Sequence, residues 1–324
     1  MSLERAIHEV KAGDRILSYE IAGPADGMPV FLLHGTPGSS SGPRPRNIVL
    51  HRLGVKLVSY DRPGYGRSRR QPGRRVVDAA ADVRLIAEHA RIKRYAVVGR
   101  SGGGPHALAV AARNPDQVVA AAVLVSLAPA TAPDLDWYSG MAEYNTHGYA
   151  ADEVQQGQDG DVSTVVERIR VRAERIQRDP QALVSDLCEV MRSSDRRIVK
   201  DVGIGPLLTK TYAEALRDGP YGWIDDALAF RSNWGFEPSE IRVPVCFWHG
   251  EDDNFSPVAH TRWLADRVPH SQIQLQSGTA HFGALEILPK MLDWLKSMQE
   301  GRVATAPDHQ AAIDTRLDVT TGAR

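Results

Sequence analysis

Apolar residues fall along this chain in two rhythms that alternate. Unbroken runs at residues 30–33 and 95–98 carry the pattern of strands buried on both faces of a parallel sheet. Residues 55–60 and 118–127 read as further strands, and residues 5–22 as two short ones about the turn Ala12-Gly13-Asp14. Between them, Val76, Val77, Ala80, Val83 and Ala87 recur at helical spacing, and the alanine-rich run 106–113 reads as another helix. After a long gap the rhythm resumes with strands at 243–248 and near 273–275, and with helices at about 257–268 and 284–298. Strand and helix in turn predict an α/β fold, a mostly parallel eight-stranded sheet flanked by helices.

The gap is different. From Pro129 to about Glu240 the pattern is helical without strands. Val162, Val165, Val166, Ile169, Ala173 and Ile176 form one amphipathic stripe. Leu183, Val184, Leu187, Val190 and Met191 form a second one after Pro180, and shorter helical pieces follow at about 209–217 and 223–232. The reading is a discontinuous core of residues 1–128 and 241–300, an inserted all-helical cap at 129–240, and a tail, 301–324, with no apolar periodicity and the character of a disordered segment.

Composition narrows the classes of function. The formal net charge of −1 gives no global field to recruit nucleic acid or an anionic membrane. The two cysteines, Cys188 and Cys246, lie far apart in apolar patterns, so no disulfide framework is expected and a cytoplasmic location fits. No stretch approaches the roughly 18 apolar residues of a membrane span, and the charged N-terminus does not read as a signal peptide. The expectation is a monomer or homodimer acting on a small molecule, without membrane or nucleic-acid partners.

The chemistry gathers where the strand at 95–98 meets its helix. Gly99-Arg100-Ser101-Gly102-Gly103 matches G-x-S-x-G, the pattern of a nucleophile elbow. A serine pinned between strand and helix takes a strained backbone that exposes its hydroxyl. The Gly102 N–H would then lie at a helix N-terminus, where an oxyanion is favoured. A dinucleotide loop is disfavoured, since Gly99, Gly102 and Gly104 give G-x-x-G-x-G. A serine nucleophile needs a histidine base held by a carboxylate, both from later strand ends. The loop after 243–248 offers Glu251, Asp252 and Asp253, and the loop after 273–275 offers His281. His34, His106 and His249 compete as the base, and Asp134 and Asp136 are remote alternatives to the loop acids. Asp252 and Asp253 are not separated by chemistry alone.

Taken together, five segments resemble the serine-dependent α/β-hydrolase family over about residues 5–299. They are His34-Gly35-Thr36-Pro37-Gly38, the run from Asp61 to Ser68, the elbow, the loop from Gly250 to Pro257, and Gly278 to His281. The resemblance selects Asp253, three residues after Gly250 and four before Pro257, and it implies an oxyanion hole formed by the Thr36 and Gly102 N–H groups. It implies a cofactor-independent, metal-free esterase, with C–C, lactone or amide hydrolysis, acyl transfer, a lyase or cyclase, and a non-catalytic binder as rivals. Arg100 departs from the usual residues before the nucleophile. Either it contacts substrate or it pairs with a loop acid such as Asp61, the latter slightly favoured. His34 and Trp137 are further candidate substrate contacts. The arginines 168, 170, 172, 175 and 178 read as a solvated helix face.

Overall fold

In a computed structural model of the chain, residues 6–150 and 162–301 are described. The tail expected at 301–324 therefore lies outside the described residues, except for Gly301. Eight strands form one sheet: β1 Ile7–Ala12, β2 Arg15–Ala22, β3 Met28–Leu33, β4 Val55–Tyr60, β5 Tyr95–Arg100, β6 Val118–Leu124, β7 Val245–Gly250 and β8 Ser271–Gln276. Their order is β1-β2-β4-β3-β5-β6-β7-β8. The β1–β2 and β2–β4 pairs are antiparallel and every other pair is parallel. Crossovers between parallel strands carry the chain over one face or the other, so both faces are covered.

The alternation of side chains shows why the strand runs are continuously apolar. Phe31, Leu33, Val58, Tyr60, Val97 and Phe247 point to one face, where helices α2 (Ala79–His89) and α3 (Gly103–Arg113) supply Val83, Ile86 and Leu108. Val30, Leu32, Leu57, Val98, Cys246 and Trp248 point to the other. There α1 (Asn47–Leu53) supplies Leu50, and the C-terminal helix (Gly283–Gln299) supplies Ile287, Leu288 and Leu292. Two apolar faces per strand leave no polar position to set a visible period of two.

Between β6 and β7, the described residues hold six α-helices: α4 Glu143–Tyr149, α5 Ser163–Arg178, α6 Gln181–Val190, α7 Ser193–Val199, α8 Ile204–Ala215 and α9 Tyr221–Arg231. Val165, Ile169, Ala173 and Ile176 are the buried positions of α5, whereas Val162 precedes the helix and is exposed. These helices join their apolar side chains to the core on the α2–α3 face. The chain returns through β7, α10 (Val258–Ala265), β8 and the last helix, α11. Strand β6 stops at Leu124, three residues earlier than the apolar run 118–127 suggests, because Val125 turns to a positive φ of 46°.

Candidate active site

The C-terminal ends of β3, β5, β7 and β8 open onto one cavity of about 100 Å³. Ser101 stands there between β5 and α3 with a φ of 55°, a left-handed conformation unusual for a residue with a side chain. Its N–H donates to the Leu124 carbonyl at 2.9 Å, and its own carbonyl accepts from Gly104 at 2.8 Å, which fixes the turn. The elbow glycines are required by close approach. A Cβ on Gly99 would collide with the Gly103 carbonyl, and one on Gly103 with the carbonyls of Leu33 and His34. Gly103→Ala is therefore expected to cost roughly 3 kcal/mol, read in denaturant unfolding. A loss within 0.5 kcal/mol, the size of an ordinary surface change, would contradict this. The helix begins at Gly103, three residues before the alanine-rich run, so the Gly102 N–H lies at its N-terminus.

Asp253 and His281, the pair the resemblance selects, come together. His281 Nδ1 lies 2.8 Å from Asp253 Oδ2 and donates to it. The other carboxylate oxygen, Oδ1, accepts from the N–H groups of Phe255 at 2.7 Å and Ser256 at 3.0 Å. His249 is buried behind this pair, with Nε2 at 3.2 Å from Asp253 Oδ2 and 2.6 Å from the Ser256 carbonyl. It supports the acid loop and does not open on the cavity. Burial alone would raise the Asp253 pKa, but the charges and hydrogen bonds of His281 and His249 hold it well below the ordinary carboxylate range. Burial would lower the pKa of His281, but the Asp253 carboxylate, with help from Asp195, raises it above 6.5. Ser101 and His281 line the same cavity, and no hydrogen bond joins them.

The other sequence candidates separate. Asp252, Asp134 and Asp136 are exposed, and none of their carboxylates bonds to His281, which pairs with Asp253. His106 donates through Nδ1 to the Gly102 carbonyl at 2.8 Å, and burial pushes its pKa down to about 3. His34 lines the cavity, but its ring is occupied: Nδ1 donates to the Gly35 carbonyl at 2.8 Å and Nε2 accepts from the Arg62 N–H at 3.2 Å. Trp137 does not reach the cavity. Its Nε1 donates to the Ala128 carbonyl at 2.8 Å, and its ring packs against His260 and Tyr149. Trp137 is core packing and not a substrate contact.

Two arginine expectations are corrected. Arg100 does not pair with Asp61, whose oxygens accept instead from the N–H groups of Ser40 at 2.6 Å and Arg67 at 3.2 Å. Arg100 lines the cavity and donates through Nη1 to the Pro43 carbonyl at 3.2 Å. On α5, Arg170, Arg175 and Arg178 do face solvent with acidic partners. Arg172 turns inward to the cavity wall, stacked 4.2 Å over the Tyr144 ring and donating to the Tyr144 carbonyl at 2.9 Å.

Two buried carboxylates escaped the sequence reading altogether. Asp226 of α9 accepts from Thr36 Oγ1 at 2.5 Å, Arg62 at 2.6 Å, Arg74 at 2.7 Å and Tyr65 at 2.9 Å. Burial alone would raise its pKa, but the two guanidiniums hold it well below the carboxylate range. Arg62 also donates to the carbonyls of His34 and Gly35, so this cluster clamps the loop that carries Thr36. Among the described residues the N–H groups of Thr36 and Gly102 have no protein acceptor, and a Cβ on Gly102 would collide with Thr36 Oγ1. Asp195 of α7 accepts from the backbone N–H groups of His281 at 3.1 Å and Phe282 at 2.7 Å, and burial raises its pKa to about 6. Among the described residues no group of three or more His, Cys, Asp or Glu side chains is arranged to hold a metal ion.

Comparison with known proteins identifies the family of the fold. A family model described as "alpha/beta hydrolase fold" matches residues 28–286. A bifunctional esterase/perhydrolase of Acinetobacter calcoaceticus is 26% identical over 255 residues, 74% of this chain and 79% of that protein. A putative carbamate hydrolase of Variovorax paradoxus is 37% identical over 112 residues, 34% of this chain and 42% of its own length. The crystal structure of an enol-lactonase from Burkholderia xenovorans superposes with a TM-score of 0.64 at 16% identity, covering 90% of this chain and all of that one. At that identity the likeness concerns the fold.

Proposed function

The chain belongs to the alpha/beta hydrolase fold family and is a hydrolase, and from that premise we propose a serine carboxylesterase working through an acyl-enzyme. The observation that carries this reading is the Asp253–His281 hydrogen bond of 2.8 Å facing the cavity on which Ser101, strained at a φ of 55°, also opens. Ser101 Oγ attacks the ester carbonyl while His281 Nε2 takes its proton, and Asp253 holds Nδ1–H so that Nε2 is free to accept. The oxyanion is met by the N–H groups of Thr36 and Gly102. As the tetrahedral intermediate collapses, His281 returns the proton to the leaving alkoxide. A water, deprotonated by the same nitrogen, then releases the acid and restores the serine.

The helical insertion between β6 and β7 acts in this reading as a cap at 129–240 over a core of residues 1–128 and 241–300. Leu183 and Leu187 of α6, Leu208 of α8 and Trp223 of α9 line the cavity. Their apolar surface would hold a small or medium acyl group. The test is a series of p-nitrophenyl acyl esters beside a lactone and a diketone, followed in the pre-steady state. A stoichiometric burst of p-nitrophenolate with short acyl chains is expected; ester turnover absent across the series would overturn the esterase reading.

The charges around the base set its pH dependence. His281 must be neutral to accept a proton, and the Asp253 and Asp195 carboxylates raise its pKa while burial and the Arg100 charge lower it. Activity on a neutral ester should therefore fall as pH drops through a midpoint above 6.5. Asp195→Asn should move that midpoint to lower pH. A wild-type acid limb below 6.5 would contradict the arrangement.

A further inference from the structure

The cavity walls carry two guanidiniums, Arg100 and Arg172, and no Asp or Glu. Buried arginines elsewhere in this molecule are paired: Arg62 lies 2.6 Å and Arg74 2.7 Å from Asp226. Arg44, largely buried, meets Glu20 at 2.9 Å. Arg100 breaks the pattern. It follows Gly99 at the end of β5 and immediately precedes Ser101. Its single protein acceptor among the described residues is the Pro43 carbonyl at 3.2 Å. Withdrawal from water pushes its pKa down to about 10, which leaves it cationic at neutral pH. Asp61, the loop acid considered as its partner, instead accepts from the Ser40 and Arg67 N–H groups. Arg100 is part-buried on the cavity wall, and a guanidinium partly withdrawn from water without a counter-charge favours a ligand that supplies one.

We infer that Arg100 is the anchor of a carboxylate subsite, so that the preferred substrate is a short ester or lactone bearing a carboxylate near its scissile carbonyl. This rests on the serine hydrolase reading above and narrows it from apolar esters to anionic ones. The guanidinium offers N–H groups in a planar fork that matches a carboxylate. Arg172, which also lines the cavity and is held against Tyr144, adds positive potential without changing its own contacts. The apolar side chains from α6, α8 and α11 then meet the carbon chain between the two ends of the substrate. Of the acidic side chains about the base, Asp253 and Asp195 are engaged with His281 and its loop and do not line the cavity.

The test uses the monomethyl esters of malonic, succinic and glutaric acid, which place the carboxylate on the acyl side, and O-acetylglycolate, which places it on the alcohol side. Each is compared with its methyl ester through the ratio of kcat/KM, anionic over neutral. The wild-type ratio is expected to exceed about 10 for at least one pair, since charge-assisted hydrogen bonds to a desolvated partner are worth that much. It should fall roughly 10- to 100-fold in Arg100→Gln and less in Arg100→Lys, with folding checked by thermal melting. As a measurement that needs no variant, succinate should slow fluorophosphonate labelling of wild-type Ser101. A ratio at or below 1 for every pair, or one unchanged in Arg100→Gln, would overturn the subsite while labelling of Ser101 still upheld the hydrolase reading. Failure of the wild-type protein to label would take both readings down together.

Discussion

Replacing Ser101 by alanine is expected to lower kcat on a carboxylic ester about 10,000-fold or more while leaving the melting temperature nearly unchanged. The two halves of this expectation have separate causes. Alanine carries a Cβ as serine does, so it takes the φ of 55° at the elbow with the same strain. The hydroxyl's absence leaves no group to form the acyl-enzyme, and the base and oxyanion donors then act on nothing but water. Steady-state kinetics beside thermal melting would check both. A folded Ser101→Ala enzyme that kept a tenth of the activity would place the chemistry elsewhere.

Asp253→Asn should cost almost as much, again about 10,000-fold in kcat, through the tautomer of the histidine. The asparagine Oδ1 would still accept from the Phe255 and Ser256 N–H groups at the positions the carboxylate uses. That leaves its NH2 facing His281 Nδ1, now 2.8 Å from a carboxylate oxygen. Nδ1 would have to accept, the proton would move to Nε2, and the nitrogen facing the cavity could no longer take the serine proton. Losing the anion also removes the main force raising the His281 pKa, so any residual acid limb should shift to lower pH. A loss smaller than tenfold would mean that Asp253 does not orient the base.

How much of this was legible in the chain depends on how local each signal is. The elbow was legible because its requirements are local: a glycine two residues either side of Ser101 is dictated by strand and helix backbone meeting there. The sheet was legible because continuous apolar runs between turn residues are what two covered faces demand. His281 was legible from chain order, and Asp253 only once the spacing of the loop resembled a known family. The clamp on the Thr36 loop was not legible. Asp226 lies 190 residues from Thr36 and 164 from Arg62, and an Asp-Asp pair in a helix carries no mark of the two guanidiniums and two hydroxyls that Asp226 will meet. Asp195 is hidden for the same reason, 86 residues from His281. The arginines misled in both directions. Arg172 shares its helix with solvent-facing arginines, and helical spacing alone does not tell an inward turn from an outward one. Arg100 was offered a loop acid such as Asp61 as a partner, but backbone N–H groups claim that carboxylate.

The asymmetry matters for function. Ser101, Asp253 and His281 come from the strand ends of the core, whereas the contacts on the His281 backbone and on the Thr36 loop come from α7 and α9 of the insertion. The insertion therefore shapes the cavity and holds the loops on which the proposed chemistry depends.

The most direct measurement is intact-mass labelling with a fluorophosphonate, with peptide mapping, on the wild type and on Ser101→Ala and His281→Ala. The account predicts one adduct per chain, on Ser101, absent from the first variant and slowed at least a hundredfold in the second. A well-folded protein that takes no adduct, or takes one undiminished in Ser101→Ala, would contradict it.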